Sequence, residues 1–447
     1  MTRLIGRAAT ALLVLAGCGS SGGPEREGEL GWSNDRDHQH GDGEAYSPCD
    51  GDNGGLSLLD GFCATVFADE LGRARHIAVA PNGDVYVAIA PPRGVFEGGS
   101  VMALRDADHD GVAEEMVQVA DVGGNGIAIA HGHLYIARDG GILRAPLLDD
   151  GMGIGELESV VAGLPISGDH TAKSVVVVGD DMYINIGSAT NSCQVENRAL
   201  HSPGIDPCPE LCERAGVWKF DAHGSNMTLA DGVHVVTGAR NTNALAYDAE
   251  SDRMWGAING RDQLFENWPE HYTMTEDLLL PAEEIVAIEM GKDYGWPYCY
   301  YDSFMRQKVL APEYGGDGSI VGRCANMDNP AAVLPAHWAP LGMTFASGAM
   351  FPERFGTGLF LTTHGSRFDM EAMFDPGYNV MFVPYADGQP AGDPMHFAIG
   401  FDGGNVPLPE AATYRPVGIA MMPDGSMIVG DDKVGRIWRI TYADPER

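Results

Sequence analysis

Oxygen-bearing side chains alternate in one short segment of the chain, Asp106-Ala-Asp-His-Asp-Gly-Val-Ala-Glu114. Carboxylates at its first, third, fifth and ninth positions, with glycine at the sixth, are typical of a compact calcium loop. The twelfth position is Val117 rather than glutamate, so the segment is not an EF-hand. We therefore predict a structural calcium site formed by Asp106, Asp108, Asp110 and Glu114. The alternative is a turn-forming Asp-Gly run that holds no metal.

Cysteines offer a second kind of chemistry. The chain has eight of them, and disulfides are expected if the protein is exported into an oxidising compartment. Local pairing suggests two bridges, Cys49–Cys63 and Cys299–Cys324, although sequence alone cannot fix connectivity. Three central cysteines should then supply one bridge and one free thiol: Cys193, Cys208 and Cys212. A zinc site would need paired Cys and His spacings, for which Cys208-x3-Cys212 alone is weak support.

The N-terminus indicates export. Arg3 and Arg7 precede an apolar run, residues 8–15, that is too short to span a bilayer. The run ends in Leu-Ala-Gly-Cys18, which resembles the bacterial lipobox, whose cysteine becomes an acylated N-terminus. We expect residues 1–17 to be a lipoprotein signal peptide and Cys18 to be the lipidated residue. The alternative is an ordinary signal peptide that contains a cysteine.

A lipidated cysteine would anchor the protein to the bacterial cell envelope. Gly19 after the cysteine favours the outer membrane, facing the periplasm or the cell surface. Residues 18–48 are rich in Gly, Ser, Glu, Asp and His, which predicts a flexible acidic tether. A metal could bind one cluster in it, although a solvated linker is the favoured interpretation: Asp35, Asp37, His38, His40 and Asp42. Residues 49–447 then form the folded domain.

The charge of the chain restricts its partners. There are 63 acidic and 28 basic residues, and the net charge is −35. A surface this acidic repels a phosphate backbone, so nucleic-acid binding is excluded as a function. At 44% apolar residues the chain can bury a large core. The 60 glycines and 27 prolines are typical of many short strands joined by turns.

One pattern recurs six times: an apolar strand, a tight turn, and a second strand. The copies begin at Ile77, Ile127, Val175, Ala244, Met343 and Ile419. Asn-Gly, Asp-Gly and related pairs supply the positive φ angles of tight hairpins. A single four-stranded unit cannot bury both of its faces, so the copies must stack in a ring. The pattern predicts an all-β, six-bladed β-propeller; a two-sheet sandwich would not explain six similar hairpins.

The predicted blades are not evenly spaced. Successive copies are separated by 50, 48, 69, 99 and 76 residues, so we expect the later loops between blades to carry long insertions. Long ordered loops on a rigid scaffold are where binding and catalytic residues usually lie. We therefore expect the functional residues at the ends of the blades.

Short motifs follow one another along these blade ends: Gly61-Phe-Cys-Ala64, Gly168-Asp-His170, Gly238-Ala-Arg-Asn241, Asn259-Gly-Arg-Asp262, Tyr294-Gly-Trp-Pro-Tyr-Cys299, Ala339-Pro-Leu-Gly342, His364-Gly-Ser366 and Tyr414-Arg-Pro-Val-Gly418. Each motif is weak by itself. The ordered set, from about residue 58 to 440, resembles the soluble pyrroloquinoline-quinone (PQQ)-dependent sugar dehydrogenases, and especially their sorbosone-dehydrogenase-like branch.

The resemblance implies an enzyme that oxidises an aldose or a sorbosone-like sugar aldehyde. Such a reaction needs a base for the hydroxyl proton and a cofactor for the hydride, because no side chain accepts hydride. No Gly-x-Gly-x-x-Gly stands between a strand and a helix, which argues against a nicotinamide cofactor on a Rossmann unit. The implied partners are PQQ, a small sugar and an unknown electron acceptor.

The resemblance also assigns the base. His170 matches the family histidine that takes the proton, and an imidazole titrates near working pH. Asp169 matches a position that contacts substrate, and its charge could also raise the basicity of His170. The alternative is that His170 only caps a surface turn.

Cofactor-binding positions follow in the same way. Arg240 and Asn241 match the pair that binds the quinone, Arg415 matches an arginine that binds a cofactor carboxylate, and His364 lies where relatives carry a lysine near the quinone. Thr413 replaces a second carboxylate-binding arginine of the glucose-oxidising members. The Gln or His of relatives is missing around Gly124-Asn-Gly126.

Calcium is the second implied cofactor. In relatives it links the quinone to two successive backbone carbonyls in the motif matched by Gly260 and Arg261. Glu283 and Glu284 match an acidic pair that supports this loop; the alternative is an exposed acid pair. Two further functions stay open: a non-catalytic binding or scaffold propeller that has lost the cofactor, and a calcium-dependent lactonase on a six-bladed propeller.

Overall fold

The structure, a computed structural model, describes residues 51–148, 152–366, 375–404 and 410–443. The predicted signal peptide and tether, with Cys18 and Cys49, lie outside these ranges. Within them the chain forms six antiparallel blades, so the predicted six-bladed β-propeller is confirmed. No helix in the described ranges has the length and apolarity needed to cross a bilayer.

The blades are numbered in the order in which their innermost strands occur. Their strands, from the innermost outwards, are Ala74–Val79, Val85–Ile89, Ser100–Arg105 and Glu115–Ala120 in blade 1; Gly126–Ala130, His133–Arg138, Gly141–Pro146 and Glu158–Ala162 in blade 2; Val175–Val178, Asp181–Ile186, Gly216–Asp221 and Val233–Thr237 in blade 3; Ala244–Asp248, Arg253–Ile258, Glu283–Ala287 and Ala332–Leu334 in blade 4; Pro340–Phe345, Gly358–His364, Tyr378–Ala386 and Met395–Ile399 in blade 5; Pro416–Met421, Met427–Asp431, Ile437–Tyr442 and Phe62–Ala68 in blade 6.

Blade 6 closes the ring with strands from both ends of the domain. Its outermost strand, Phe62–Ala68, comes from the N-terminal side and pairs antiparallel with Ile437–Tyr442. Trp438 is fully buried in this blade, and its indole Nε1 donates to the carbonyl of Gly54 at 3.2 Å. The closure joins the chain ends by backbone hydrogen bonds, so the ring has no open edge between its first and last blades.

The innermost strands of the six blades lie side by side in a closed ring. They surround a channel of about 820 Å³ lined largely by apolar side chains, among them Ile77, Ile127, Val175, Met343 and Ile419. Each blade packs between two others, so its middle strands are buried on both faces; all of Gly358–His364 is buried. Such strands do not alternate between buried and exposed positions, and the polar end of this one, Thr362 to His364, is buried at the mouth.

The remaining elements lie before the first blade or in insertions within blades 3, 4 and 5. The α-helices are Leu264–Asn267, Met274–Leu279 and Glu353–Gly356; the 3₁₀ turns are Asn53–Gly55, Pro209–Cys212, Leu229–Asp231, Pro312–Tyr314 and Gly322–Asn326; the extra strands are Ser57–Leu58, Lys292–Asp293, Cys299–Asp302, Gln307–Leu310 and Gln389–Pro390. Cys299–Asp302 and Gln307–Leu310 form a hairpin within the longest insertion, between the third and fourth strands of blade 4. The prediction that the long insertions lie in loops between blades was therefore wrong: they connect strands of a single blade.

Two disulfides fasten these insertions. One joins Cys299 to Cys324, the pair expected from the sequence, and the other joins Cys193 to Cys208. Cys212 is an exposed free thiol, as the count of central cysteines predicted. Cys63 is also disulfide-bonded, and its predicted partner Cys49 lies outside the described residues.

Candidate active site

The end of the channel at which the innermost strands begin is called the mouth here. Each blade presents there the start of its first strand and the end of its second. The residues at these positions are mostly polar, in contrast to the apolar channel. All the predicted catalytic and cofactor-binding residues lie at or near these positions, which the propeller topology brings together from distant parts of the sequence.

A chain of polar contacts runs around the mouth. In blade 5, His364 Nε2 lies 2.8 Å from Asp432 Oδ1, and the other carboxylate oxygen accepts from Arg75 Nη1 at 2.6 Å. Arg75 Nε donates to Asn125 Oδ1 at 2.8 Å, and Asn125 Nδ2 lies 3.2 Å from Ser174 Oγ. This chain, the mouth network, joins blades 5, 6, 1, 2 and 3, and it places His364 inside a hydrogen-bonded assembly.

Charges in the mouth network compensate one another. Burial lowers the pKa of His364 to about 4, against the opposing charge of Asp432. Burial would raise the pKa of Asp432, but His364 and Arg75 hold it far below its usual range. All three side chains are almost fully buried. His364 is therefore neutral at neutral pH, and the Asp432 carboxylate is the counter-ion of Arg75.

Three arginines and three aspartates line one cleft in the mouth. The cleft has a volume of about 320 Å³; the charged residues of its lining are Arg73, Arg75, Arg93, Asp139, Asp169 and Asp432, and His364 also lines it. Arg415 lies behind His364: its Nε donates to the His364 carbonyl at 3.0 Å, and its Nη2 donates to the next carbonyl at 2.9 Å. Burial lowers the pKa of Arg73, and the charges of Arg75 and Arg93 lower it further, against the opposing charges of Asp432 and Asp139. The cleft therefore offers guanidinium groups to an anion, and the aspartates of its lining offset part of their charge.

His170 stands just before the first strand of blade 3, next to this cleft. Asp169 and Thr171, its neighbours in the chain, line the cleft. His170 Nδ1 lies 3.0 Å from both the carbonyl oxygen and the hydroxyl of Ser188. Because a carbonyl only accepts, we assign the proton to Nδ1, which leaves Nε2 with a lone pair. No residue of the described ranges bonds Nε2.

The electrostatics of the site keep His170 neutral. Burial and the guanidinium of Arg240 lower the pKa of His170 to about 3, against the opposing charges of Asp169 and Asp262. Asp169 is held by Arg198, whose Nε lies 2.9 Å from Asp169 Oδ2. Asp169 thus acts on His170 through its charge, while its carboxylate is fixed by another residue. A neutral imidazole with a bare Nε2 has the form of a proton acceptor.

Two features shape the surroundings of His170. Gly187 packs so closely that a Cβ there would lie 2.5 Å from His170 Cβ and 3.0 Å from Asn241 Oδ1. Three buried oxygens in the loops before blades 3 and 4 and after Gly187 have no hydrogen-bond partner within the described structure: Asn241 Oδ1, Thr242 Oγ1 and Ser192 Oγ. Buried polar atoms are normally satisfied. Asn241 Oδ1, which lies beside Gly187, therefore has capacity for a further hydrogen bond.

Arg240 is more fully engaged with the protein than the sequence suggested. Its Nη1 donates to the Gly260 carbonyl at 2.6 Å, its Nη2 donates to Asn191 Oδ1 at 2.9 Å, and its Nε donates to the Asn191 carbonyl at 3.1 Å. Asp262 Oδ2 lies 3.3 Å from Nη2. In this arrangement Arg240 orders the loop around Gly260 and acts on His170 through its charge.

The predicted calcium carbonyls lie on this same loop. The Gly260 carbonyl accepts from Arg240, which places a positive charge beside it. The Arg261 side chain forms a buried ion pair with Glu313 at 2.6 Å. The structure thus brings Gly260 and Arg261 together beside Arg240, and the calcium site on their carbonyls stays a prediction.

Glu283 and Glu284 are not the exposed acid pair that was one of the alternatives. Both are buried. Glu283 Oε2 accepts from the Gly260 N–H at 2.7 Å, so it supports the loop as the resemblance implied. Burial raises the pKa of Glu283 to about 7. Glu284 pairs instead with buried Lys308, whose Nζ lies 2.5 Å from Glu284 Oε2.

The acidic loop of blade 1 lies away from the mouth. Oxygen atoms of four residues fall within 4.8 Å of one another: Asp106, Asp108, Asp110 and Glu114. Asp106 also accepts from Arg439 Nη1 at 2.7 Å and from the N–H groups of the turn. Both original interpretations therefore remain compatible with the geometry, because the same oxygens form the turn.

Sequence reasoning missed the central part of the mouth network. Arg75, Asp432 and Asn125 belong to none of the motifs that carried the resemblance. Arg75 precedes the first repeat copy by two residues, and Asn125 precedes the second copy by two residues. The signal available in the sequence was a polar residue two positions before each of these repeat copies. Arg75 and Asp432 are separated by 357 residues, so their contact depends on ring closure.

Comparison with known proteins agrees with this architecture. A family model described as TrAA12-like matches residues 56–443. Among curated proteins, an uncharacterized protein of Borreliella burgdorferi is 26% identical over 261 residues, which is 58% of this chain. The chain spans 60% of the length of that relative.

Several solved structures share this fold. The iodide structure of a Trichoderma reesei carbohydrate-active enzyme of family AA12 has a TM-score of 0.71 at 18% identity, covering 87% of this chain and 98% of that chain. The holo PQQ domain of pyranose dehydrogenase from Coprinopsis cinerea gives 0.67 at 19%, with 86% and 97% covered. The apo soluble aldose sugar dehydrogenase of Escherichia coli gives 0.56 at 16%, with 86% and 100% covered. At these identities the likeness shows a shared fold.

Proposed function

The chain belongs to the TrAA12-like family of PQQ-dependent oxidoreductases, and from this premise we propose that it oxidises a small sugar. The substrate class we infer is an aldose or a sorbosone-like sugar aldehyde. One observation carries the proposal: a neutral histidine whose Nε2 has no hydrogen-bond partner in the described residues stands beside a cleft to which three arginines contribute. A base and an anion-binding cleft are the two parts that such a reaction requires of the protein.

The cleft fits the cofactor by its chemistry. PQQ carries three carboxylates and an ortho-quinone. Arg73, Arg75 and Arg93 line the cleft and Arg415 lies behind its His364; burial and the charges of Arg75 and Arg93 lower the pKa of Arg73. These residues would hold the carboxylates and orient the quinone, and PQQ would supply the hydride acceptor.

The protein itself handles the proton. His170 Nε2 is the acceptor for the sugar hydroxyl proton, since Nδ1 is occupied by the carbonyl of Ser188. Once His170 is protonated, the charges of Asp169 and Asp262 favour its imidazolium. An anion that neutralises Arg240 would raise the pKa of His170 and so strengthen the base. Gly187 fixes the distance between His170 and Asn241.

Calcium enters the proposal as a loop-ordering ion near Gly260, whose carbonyl also accepts from Arg240. The engagement of Arg240 with its own loop is also the observation that favours the alternative, a non-catalytic propeller. In that case Arg240 has become purely structural. The two functions differ in whether PQQ binds and whether a sugar then reduces a dye.

The deciding experiment incubates the purified protein with PQQ, with and without calcium, and measures both binding and dye reduction on a panel of aldoses and sugar aldehydes. We expect tight binding and turnover with at least one sugar. His170→Ala should lower kcat by roughly 100- to 10,000-fold, the usual contribution of a general base, and leave PQQ affinity nearly unchanged. His201→Ala, at an exposed His–Glu pair, serves as the control.

The outcomes separate the alternatives. Binding of PQQ without dye reduction supports the non-catalytic propeller, and no binding in either calcium condition rejects the enzyme proposal. Equal loss of binding and turnover in His170→Ala would show that this residue holds the cofactor instead of accepting the proton.

A further inference from the structure

Three metal-ligating side chains meet at the end of the propeller opposite the mouth. His131 follows the innermost strand of blade 2, Asp180 lies in the first hairpin turn of blade 3, and His223 follows the third strand of blade 3. One nitrogen or oxygen from each residue lies within 4.8 Å of those of the other two. Residues from three separate turns and two blades thus converge on one place that has no role in the proposed reaction.

The side chains already contact one another. His223 Nε2 lies 2.9 Å from Asp180 Oδ1. The rings of His131 and His223 stack with their centroids 4.5 Å apart and their planes 22° from parallel. All three side chains are exposed, so a cation can reach them and the rings can turn toward it without disturbing the core.

The backbone behind these side chains is fixed. The Ala222 N–H donates to the Asp180 carbonyl at 2.8 Å, which ties two of the turns together. The Ala222 carbonyl accepts from Tyr135 Oη at 3.1 Å and from Arg144 Nη1 at 2.6 Å, both on blade 2. Rigid backbone under mobile rings is the arrangement that positions ligands before a metal arrives.

We propose that His131, Asp180 and His223 bind a divalent transition-metal cation, most readily Zn²⁺, and thereby connect blade 2 to blade 3. Two imidazoles and one carboxylate suit zinc, with water completing a tetrahedral shell. Calcium takes oxygen ligands and is disfavoured by the two imidazoles. The chain's net charge of −35 raises the local concentration of any cation. When the metal binds, Asp180 and His223 give up their hydrogen bond to each other and each forms a bond to the metal. His131 supplies the third ligand.

The test is a titration of the full chain with zinc, monitored by calorimetry. The protein is purified without a polyhistidine tag and is kept in excess calcium. We expect the wild type to bind one zinc ion more than the double variant His131→Ala/His223→Ala. Asp180→Asn should weaken zinc binding by at least roughly 10- to 100-fold. Losing a residue that only hydrogen-bonds to a metal ligand already has an effect of this size, and Asp180 is itself a proposed ligand. His201→Ala is the matched control: its ring bonds Glu270 at 2.9 Å and its side chain is 52% exposed, against 53% for His223.

Thermal unfolding gives a second measurement. Zinc should raise the midpoint of the wild type and of His201→Ala, because a ligand bound only to the folded state stabilises it, and should not raise that of the double variant. The proposal is overturned if the double variant binds as many zinc ions with the same affinity. That result would assign the metal to other groups, such as His38 and His40 of the N-terminal segment.

Discussion

His170 has one ring nitrogen bonded to the protein, and its protonation is controlled by neighbours that are themselves fixed. Nδ1 faces the carbonyl of Ser188, and Arg240 supplies the repulsion that helps to keep the ring neutral. Arg240 is in turn held by Asn191 and Gly260. The base is therefore tuned by a guanidinium whose position depends on a loop, and not by a residue that contacts the ring.

This arrangement makes a prediction about titration. Burial and Arg240 lower the pKa of His170 to about 3, so in the cofactor-free protein its ring should stay neutral from pH 8 down to about pH 5. Histidine NMR shifts of the wild type, assigned by comparison with His170→Ala, provide the measurement. Arg240→Gln should raise this pKa because it removes the repelling charge. A His170 signal that titrates near pH 6.5 in the wild type would contradict the assignment.

The same pKa has a consequence for stability, with a defined sign. In the unfolded chain a histidine titrates near about 6.5. Between that pH and about 3 the unfolded state binds a proton at His170 that the folded state does not. This residue therefore favours unfolding progressively as the pH falls through that window.

Motif recognition found the residues that stand in recognisable short sequences and missed those that do not. His170, Asn241, His364 and Arg415 all reach the mouth, as the ordered motifs implied. The partners of Arg240 could not be predicted, because Asn191 and Gly260 lie 49 and 20 residues away in irregular loops. The sequence likewise left Glu283 open between exposed and supporting, and only the packing around Gly260 resolves it.

At the scale of elements, the hairpin of blade 3 determines where the base lies. Gly187 follows directly after the strand Asp181–Ile186, and His170 packs against this glycine. No larger residue fits there, because a Cβ would also approach the His170 carbonyl to 2.9 Å. Glycine is required at this position because two connecting segments of the chain approach each other closely there, and not because the backbone makes a flexible turn.

Gly187→Ala should therefore act on catalysis. The added methyl pushes His170 away from Asn241, and a displacement of about 1 Å in an active site can cost roughly 100-fold in rate. Overpacking should also destabilise the fold by about 1–3 kcal/mol. Gly356→Ala is the control, because its Cβ would meet no atom within 4 Å. The measurements are kcat/KM with PQQ and thermal unfolding; an unchanged kcat/KM in Gly187→Ala would contradict this role.

The fold was the most predictable element-level feature, for a physical reason. Each blade must turn sharply between its first two strands, and the turns need residues that tolerate positive φ, such as Gly83 at 91° and Gly425 at 87°. Those turns repeat with the blades and are visible in the sequence. The contacts between blades have no comparable local sequence pattern, and the Arg75–Asp432 pair was therefore not predicted.

The whole molecule separates its charges. The chain carries −35, yet three of its arginines line one small cleft at the mouth, together with three aspartates. The acidic surface repels itself, and this repulsion opposes the compact state. An anion must therefore pass an acidic exterior to reach the arginines of the cleft, and salt weakens both fields.

Salt should accordingly stabilise the cofactor-free protein. Raising NaCl from about 10 mM to 0.5 M shortens the screening length from roughly 30 Å to below 10 Å, which suppresses repulsion between surface carboxylates more than it weakens buried ion pairs. We expect the unfolding midpoint, measured by calorimetry, to rise by several degrees. A fall in the midpoint would mean that exposed ion pairs dominate over the net charge.

Ring closure has a consequence for the order in which the molecule can be assembled. The strand Phe62–Ala68 is synthesised early, but its only partner within the described sheets is the late strand Ile437–Tyr442. Trp438 and Gly54, which meet beside this pairing, are 384 residues apart. The strand Phe62–Ala68 therefore has no strand partner until nearly the whole chain has been synthesised. The cleft uses residues from blades 1, 2, 3, 5 and 6, the last of them Asp432, so it can form only when almost the whole domain is present.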